Sequence, residues 1–343
     1  MKLFRYGQLS GLVVSVFCSL LFATLCHAED TVQSIYEAAK KEGKVIIWNS
    51  TDVNVQQKVW AAFSKRYPGI QIETFKIQPA PAIERAVTEA KAGLHNVDVI
   101  DPNISYLPLL LDRDMLESYP WDKVFGIAPA QLLFDNKAIV IADYDYPISY
   151  NTDLVPAGAI KSWEDVLDPK WRGKVLIEAR GIPFHILATK WGEERTADFI
   201  KRLLTNQPII TQGSTLATDS LAGGRGAISI ASIGGRIQLA IDAGAPVEWA
   251  RVGPIPSLTV VITPIKGAPH PNAAKLWSAF WATEEAQNIF YQEQRFGFLA
   301  GEPLSPHGKE LRAAGIEVLR EPTNLAEGQR LLEKVGALVS GRR

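Results

Sequence analysis

The sequence predicts an α/β fold built as two lobes. Three observations carry that expectation. The short apolar run Val45–Trp48 is continuous rather than alternating, as a strand covered on both faces requires. Amphipathic helical stretches follow the strands at βα spacing. The chain, 343 residues long, holds enough material for two cores but has no Pro/Gly/Ser-rich tether and no internal repeat, so the lobes must be joined by crossing strands.

The elements follow in order. Val32, Ile35, Tyr36 and Ala39 recur at helical spacing and Gly43 ends that helix. A strand over 45–48 and a helix carrying Val55, Val59, Trp60 and Phe63 come next, stopped by Tyr67-Pro68-Gly69. Ile70 to Phe75 alternates as a strand with one wetter face. Ile83 to Ala92 reads as helix, Val97 to Ile100 as strand and Tyr106 to Leu111 as helix. Ala138 to Ala142 and Leu258 to Ile262 read as strands, the first of them crossing between the lobes. Between them fall strands at Lys174–Ile177 and Ala227–Ile230, with helices at Phe184–Trp191, Glu194–Leu204 and Ile233–Asp242. Pro271 opens a helix through Trp281, where its missing donor does no harm. Helices over Glu285–Tyr291 and Leu325–Val339 complete the chain. Mainly parallel sheets flanked by helices are expected.

Residues 1–28 read as a cleavable secretory leader: a basic start at Lys2 and Arg5, an apolar run from Leu12 to Leu25, then Cys26-His27-Ala28 with small residues at the cleavage positions. The run is shorter than the roughly 20 residues a membrane-spanning helix needs. Cys18 and Cys26 both lie in this leader, so the mature chain has no thiol for a disulfide, a metal site or a nucleophile. With 36 basic and 37 acidic residues the chain lacks the positive balance of a nucleic-acid binder. No nucleic-acid partner is expected.

Several phrases at matching places carry a family resemblance: Ile35-Tyr36-Glu37-Ala38-Ala39-Lys40-Lys41-Glu42-Gly43-Lys44-Val45, Phe63-Ser64-Lys65-Arg66-Tyr67-Pro68-Gly69, Ser149-Tyr150-Asn151-Thr152-Asp153-Leu154, Pro169-Lys170-Trp171-Arg172-Gly173-Lys174-Val175 and Lys266-Gly267-Ala268-Pro269-His270-Pro271. Together they resemble type II periplasmic solute-binding proteins of ABC transporters, in the branch of the ferric-ion, thiamine and aminoethylphosphonate binders. The resemblance implies lobe 1 over 29–138 plus 262–313, lobe 2 over 139–261 plus 314–343, and a ligand cleft between them. It further implies a periplasmic, monomeric, non-catalytic protein that hands a small solute to a permease and its ATPase, with no cofactor.

Loops at strand ends supply the candidate ligand residues. Ser50 and Thr51 either donate to ligand or cap the next helix. Asn103 and Ser105 follow the strand at 97–100, and Asp101 beside them suits a cation, an amino group or a turn. Arg180 can clamp a carboxylate or phosphonate in bidentate fashion, or pair with Glu178. Gln212-Gly213-Ser214-Thr215 opens a helix whose free amides and hydroxyls suit an oxyanion. Ser232 and Arg236 add a hydroxyl and a cation. Tyr150, Phe184 and Trp48 offer either an apolar wall or core packing.

The chain departs from the ferric binders in the stretch Ser229-Ile230-Ala231-Ser232-Ile233, which holds no tyrosine pair, and in its first loop, which holds no histidine. No metal is expected, and the inventory favours a small carboxylate or phosphonate. Ferric or thiamine-type binding, a sensor input and an exported hydrolase remain as alternatives. The last would need a Gly-x-Ser-x-Gly elbow or paired carboxylates, and the sequence contains no such elbow. Gly223-Gly224-Arg225-Gly226 lacks the preceding strand and the spacing of a dinucleotide fingerprint.

Overall fold

The computed structural model describes residues 30–51, 53–295 and 297–341. The expected leader, 1–28, lies outside the described residues. Thr31–Arg343 forms one compact unit.

Among the described residues two sheets form, one in each lobe. The strands are β1 (Lys44–Asn49), β2 (Gln71–Lys76), β3 (Val99–Ile100), β4 (Leu132–Leu133), β5 (Ala138–Asp145), β6 (Ser149–Asn151), β7 (Val175–Glu178), β8 (Ile209–Thr211), β9 (Ile228–Ser229), β10 (Val247–Trp249), β11 (Ile255–Pro264), β12 (Phe298–Leu299), β13 (Glu302–Pro303) and β14 (Val318–Arg320). The larger sheet runs β13-β12-β5-β11-β3-β1-β2, with β14 beside β11 and β4 beside β5; the smaller runs β10-β6-β9-β7-β8.

Pairing is mixed rather than mainly parallel. The βα units give parallel pairs, β1 with β2 and β3, and β7 with β8 and β9. The crossing strands enter antiparallel: β11 on β3 and β5, β6 on β9 and β10. A strand that arrives from the other lobe has no βα crossover to reverse it, so antiparallel pairing is the short connection. The chain passes between sheets at 146–148 and 250–254. Positions 138 and 261, the expected lobe boundaries, fall on β5 and β11, both members of the larger sheet.

Local chemistry explains the ends of the elements. Thr31 and Ser34 form a reciprocal capping box on the helix Val32–Glu42, and Gly43 terminates it in the left-handed region at φ 79°. That helix buries Ile35 and Ala39 against Trp277 and Phe280 of the helix Pro271–Trp281 and their neighbours. In lobe 2, Phe184, Phe199, Trp163 and Ile177 make a separate core. The C-terminal helix Leu325–Ser340 adds Val335 and Val339 to this lobe-2 core. It lies so close to Gly181 (φ 70°) that a Cβ there would stand 2.6 Å from Val335 Cγ1. Only glycine fits that approach.

Candidate functional site

A cavity of about 220 Å³ opens between the lobes. Its walls come from strand ends and helix starts. Lobe 1 contributes Ser50 and Thr51 after β1, Gln78 and Pro79 after β2, and Asp101 and Asn103 after β3. Lobe 2 contributes Arg180 after β7, Ser214 and Thr215 after β8, and Ile233 and Arg236 after β9. Tyr144, Tyr146, Leu258 and Val260, on or just beyond the crossing strands β5 and β11, and Gln294 at the end of the helix Glu284–Gln294 complete it. Four helices, Val53–Arg66, Pro79–Lys91, Ser214–Ala222 and Gly234–Asp242, therefore begin at the cavity. Their N-terminal amides and dipoles favour negative charge there.

Each wall is held by identifiable bonds. Thr51 Oγ1 donates to Asp101 Oδ2 at 2.8 Å. Burial pushes the Asp101 carboxyl up to about 7, against the hydrogen bonds from the Thr51 hydroxyl and the Ser50 amide that favour its ionised form. Asn103 makes a β-bridge to Val260, next to the bulge between Val260 and Val261 that interrupts the β5–β11 ladder. Ser214 Oγ accepts the Ile233 amide at 2.7 Å, stitching the starts of two helices together. Glu178, only 1 % exposed, accepts from both Nε and the backbone amide of Arg180 at 2.7 Å. The expected internal pair thus forms, yet the terminal nitrogens of Arg180 have no hydrogen-bond partner among the described residues. Arg236 is partly buried and has no ion-pair partner among the described residues.

Of the residues expected from sequence, Ser50, Thr51, Asn103, Arg180, Ser214, Thr215 and Arg236 line this cavity. Three do not. Ser232 is fully buried and its hydroxyl shares a 2.8 Å hydrogen bond with Ser229. Tyr150 packs in the lobe-2 core beside Ile148. Ser105 turns to His185 of lobe 2, Oγ to Nε2 at 3.4 Å. Trp48 and Phe184 likewise belong to the cores.

Ser105 belongs to a polar seam beside the crossing strands. His185 Nε2 lies 3.2 Å from Glu321 Oε1, and Glu321 Oε2 accepts the Thr259 amide at 3.3 Å. Thr259 Oγ1 donates to Asp143 at 2.8 Å, and Asp143 also accepts from the Gly301 amide and from Arg320.

Tyr144 and Tyr146 join the site without having been expected there. The alternation Asp143-Tyr144-Asp145-Tyr146 is their signal: residues two apart share a strand face, and here the phenols share the cavity face while the carboxylates are buried. Burial raises both phenol pKa values far above the ordinary tyrosine range.

An adjoining space of about 420 Å³ shares Gln78, Pro79 and Arg180 with the cavity and adds Tyr106, Gln212 and Gly213. A groove of about 510 Å³ between the helices Glu193–Thr205 and Leu325–Ser340 is larger than the cavity, but Glu193 there is already paired with Arg330 and Lys334. Among the described residues no group of three or more His, Cys, Asp or Glu side chains is placed to hold a metal ion.

The sequence profile of the bacterial extracellular solute-binding protein family matches residues 58–310. No curated protein matches the chain at a significant level. Solved structures share the fold. Iron-bound HitA from Pseudomonas aeruginosa is 16% identical with a TM-score of 0.70, over 85% of this chain and 99% of its own. AfuA from Actinobacillus pleuropneumoniae, with fructose-6-phosphate bound, is 19% identical with a TM-score of 0.70, over 85% and 97%. The substrate-binding protein of an ABC transporter from Agrobacterium tumefaciens is 14% identical with a TM-score of 0.71, over 88% and 97%. A profile match across most of the chain, on a two-lobed α/β scaffold with a polar cleft, makes this chain a member of the bacterial extracellular solute-binding protein family, the periplasmic, non-catalytic substrate-binding component of an ABC importer.

Proposed function

We propose that the solute captured in the cleft is a small organic anion, a carboxylate or a phosphorus oxyanion such as a phosphonate. Arg236 carries this reading: it lines the cavity, partly buried, with no carboxylate partner among the described residues. A partly buried cation with no carboxylate partner attracts an anion, and an anionic solute supplies that partner. Arg180 adds a second guanidinium that Glu178 holds in place. The four helix starts act in the same direction. Within the shared fold, AfuA with its phosphorylated sugar is a closer chemical precedent for such a site than iron-bound HitA.

Thermal unfolding of dialysed protein against a panel of carboxylates, phosphonates, phosphate esters, neutral sugars, thiamine and ferric ion tests the reading. Small anions are expected to raise the midpoint through selective binding to the folded state. A rise confined to neutral sugars, thiamine or ferric ion overturns it.

A further inference from the structure

The two sides of the cleft differ in chemistry, and the difference bears on the identity of the solute, provided that solute is the small anion proposed for the cleft. Asp101 ends the β3 segment on the lobe-1 side, lines the cavity and is 8 % exposed. Its Oδ2 accepts the Thr51 hydroxyl, and no basic side chain forms an ion pair with it among the described residues. Arg180 and Arg236 face the same cavity from lobe 2. Tyr144 lines the same cavity, within electrostatic reach of both Asp101 and Arg236.

A buried carboxylate in a site built for an anion repels its own ligand unless the ligand brings a hydrogen-bond donor to it. That donor has two possible forms. An ammonium group would share a small cavity with the Arg236 guanidinium, which no carboxylate compensates among the described residues, and be repelled by it. A hydroxyl carries no charge, and it bonds to a carboxyl group in either protonation state, donating to the ionised form and accepting from the protonated one. We infer that the solute is a hydroxylated organic anion, its anionic head held by Arg236 and Arg180 on one lobe and a hydroxyl held by Asp101 on the other. Asp101 is then the residue that determines specificity, and the crossing-strand tyrosines line the same cavity.

Titration calorimetry on the unmodified protein with two matched series tests this. One series is propyl phosphate, glycerol 3-phosphate and 3-aminopropyl phosphate; the other is propionate, glycerate and 3-aminopropionate. In at least one series the hydroxylated member is expected to bind about tenfold or more tightly than its unsubstituted parent, the margin of one good hydrogen bond to a charged group. In Asp101→Leu, with folding checked by its thermal midpoint, the ratio of those two affinities falls towards one. Equal affinities of parent and hydroxylated member in the unmodified protein overturn the inference while leaving the anion reading intact. So does a preference for the amine-bearing member. Failure of every anion in both series overturns the anion reading and, with it, the hydroxylated solute.

Discussion

The two arginines of the cleft both come from lobe 2, Arg180 from the turn after β7 and Arg236 from the first turn of the helix Gly234–Asp242, and they are prepared differently. Arg180 is braced by a buried carboxylate that takes both its Nε and its backbone amide. Arg236 sits in the first turn of its helix, where no carboxylate forms an ion pair with it among the described residues. The difference separates two properties a binding site needs. Glu178 gives Arg180 a fixed orientation at the cost of most of its net charge, whereas Arg236 retains its full charge. Orientation supplies geometric selectivity, and uncompensated charge supplies the larger share of attraction.

Three measurements break or sharpen this comparison, each read with the tightest-binding anion. Arg236→Ala is expected to weaken binding most, roughly a hundredfold, the scale of a lost charge-assisted contact. Calorimetry showing an unchanged affinity would remove Arg236 from the site. Glu178→Gln is expected to weaken binding about tenfold, because a loosened Arg180 must be ordered when the solute arrives. Charge alone gives the opposite sign, since the variant makes the cleft more positive. Tighter binding would therefore refute the bracing role.

The smallest effect is expected from pH. Asp101 in the unfolded chain ionises near 4, whereas in the folded protein it keeps its proton to about 7. Between those values the folded state binds more protons, so its contribution to stability declines as pH rises through that window. Anion affinity should also fall a fewfold as pH passes 7 and the carboxylate ionises. Thermal midpoints and calorimetry from pH 5 to 8 read both trends, and Asp101→Asn should flatten them. Retention of both slopes in that variant would assign them to another group.

Much of this architecture is legible in the sequence, for local reasons. The helix Pro271–Trp281 keeps the bounds its periodicity and leading proline indicate, and Gly43 stops its helix where expected. The loops that carry Ser50, Thr51, Arg180 and Ser214 follow from βα order alone. Other features depend on distant partners. The short strands β12, β13 and β14 are too brief to leave a periodic signature, and their pairing depends on the long strands β5 and β11. Strand β5 extends past Ala142 because Asp143 and Asp145, which look solvent-exposed in sequence, are buried against Thr259 and His307. That extension is what delivers Tyr144 and Tyr146 to the cleft. Ser105 and Ser232 are hydroxyls in suitable loops, but nearby His185 and Ser229 satisfy them first.

The seam through Ser105, His185, Glu321 and Thr259 has a consequence for release. His185 has no exposed surface and Glu321 is only 4 % exposed, so any motion that draws the lobe-1 turn away from His185 brings water to an imidazole and a carboxylate that are dry here. Parting of the lobes at this place would be a wetting event. Its rate belongs to the entry of solvent into a polar crevice as much as to the bending of two crossing strands, and an osmolyte that withholds water from the protein surface should slow it.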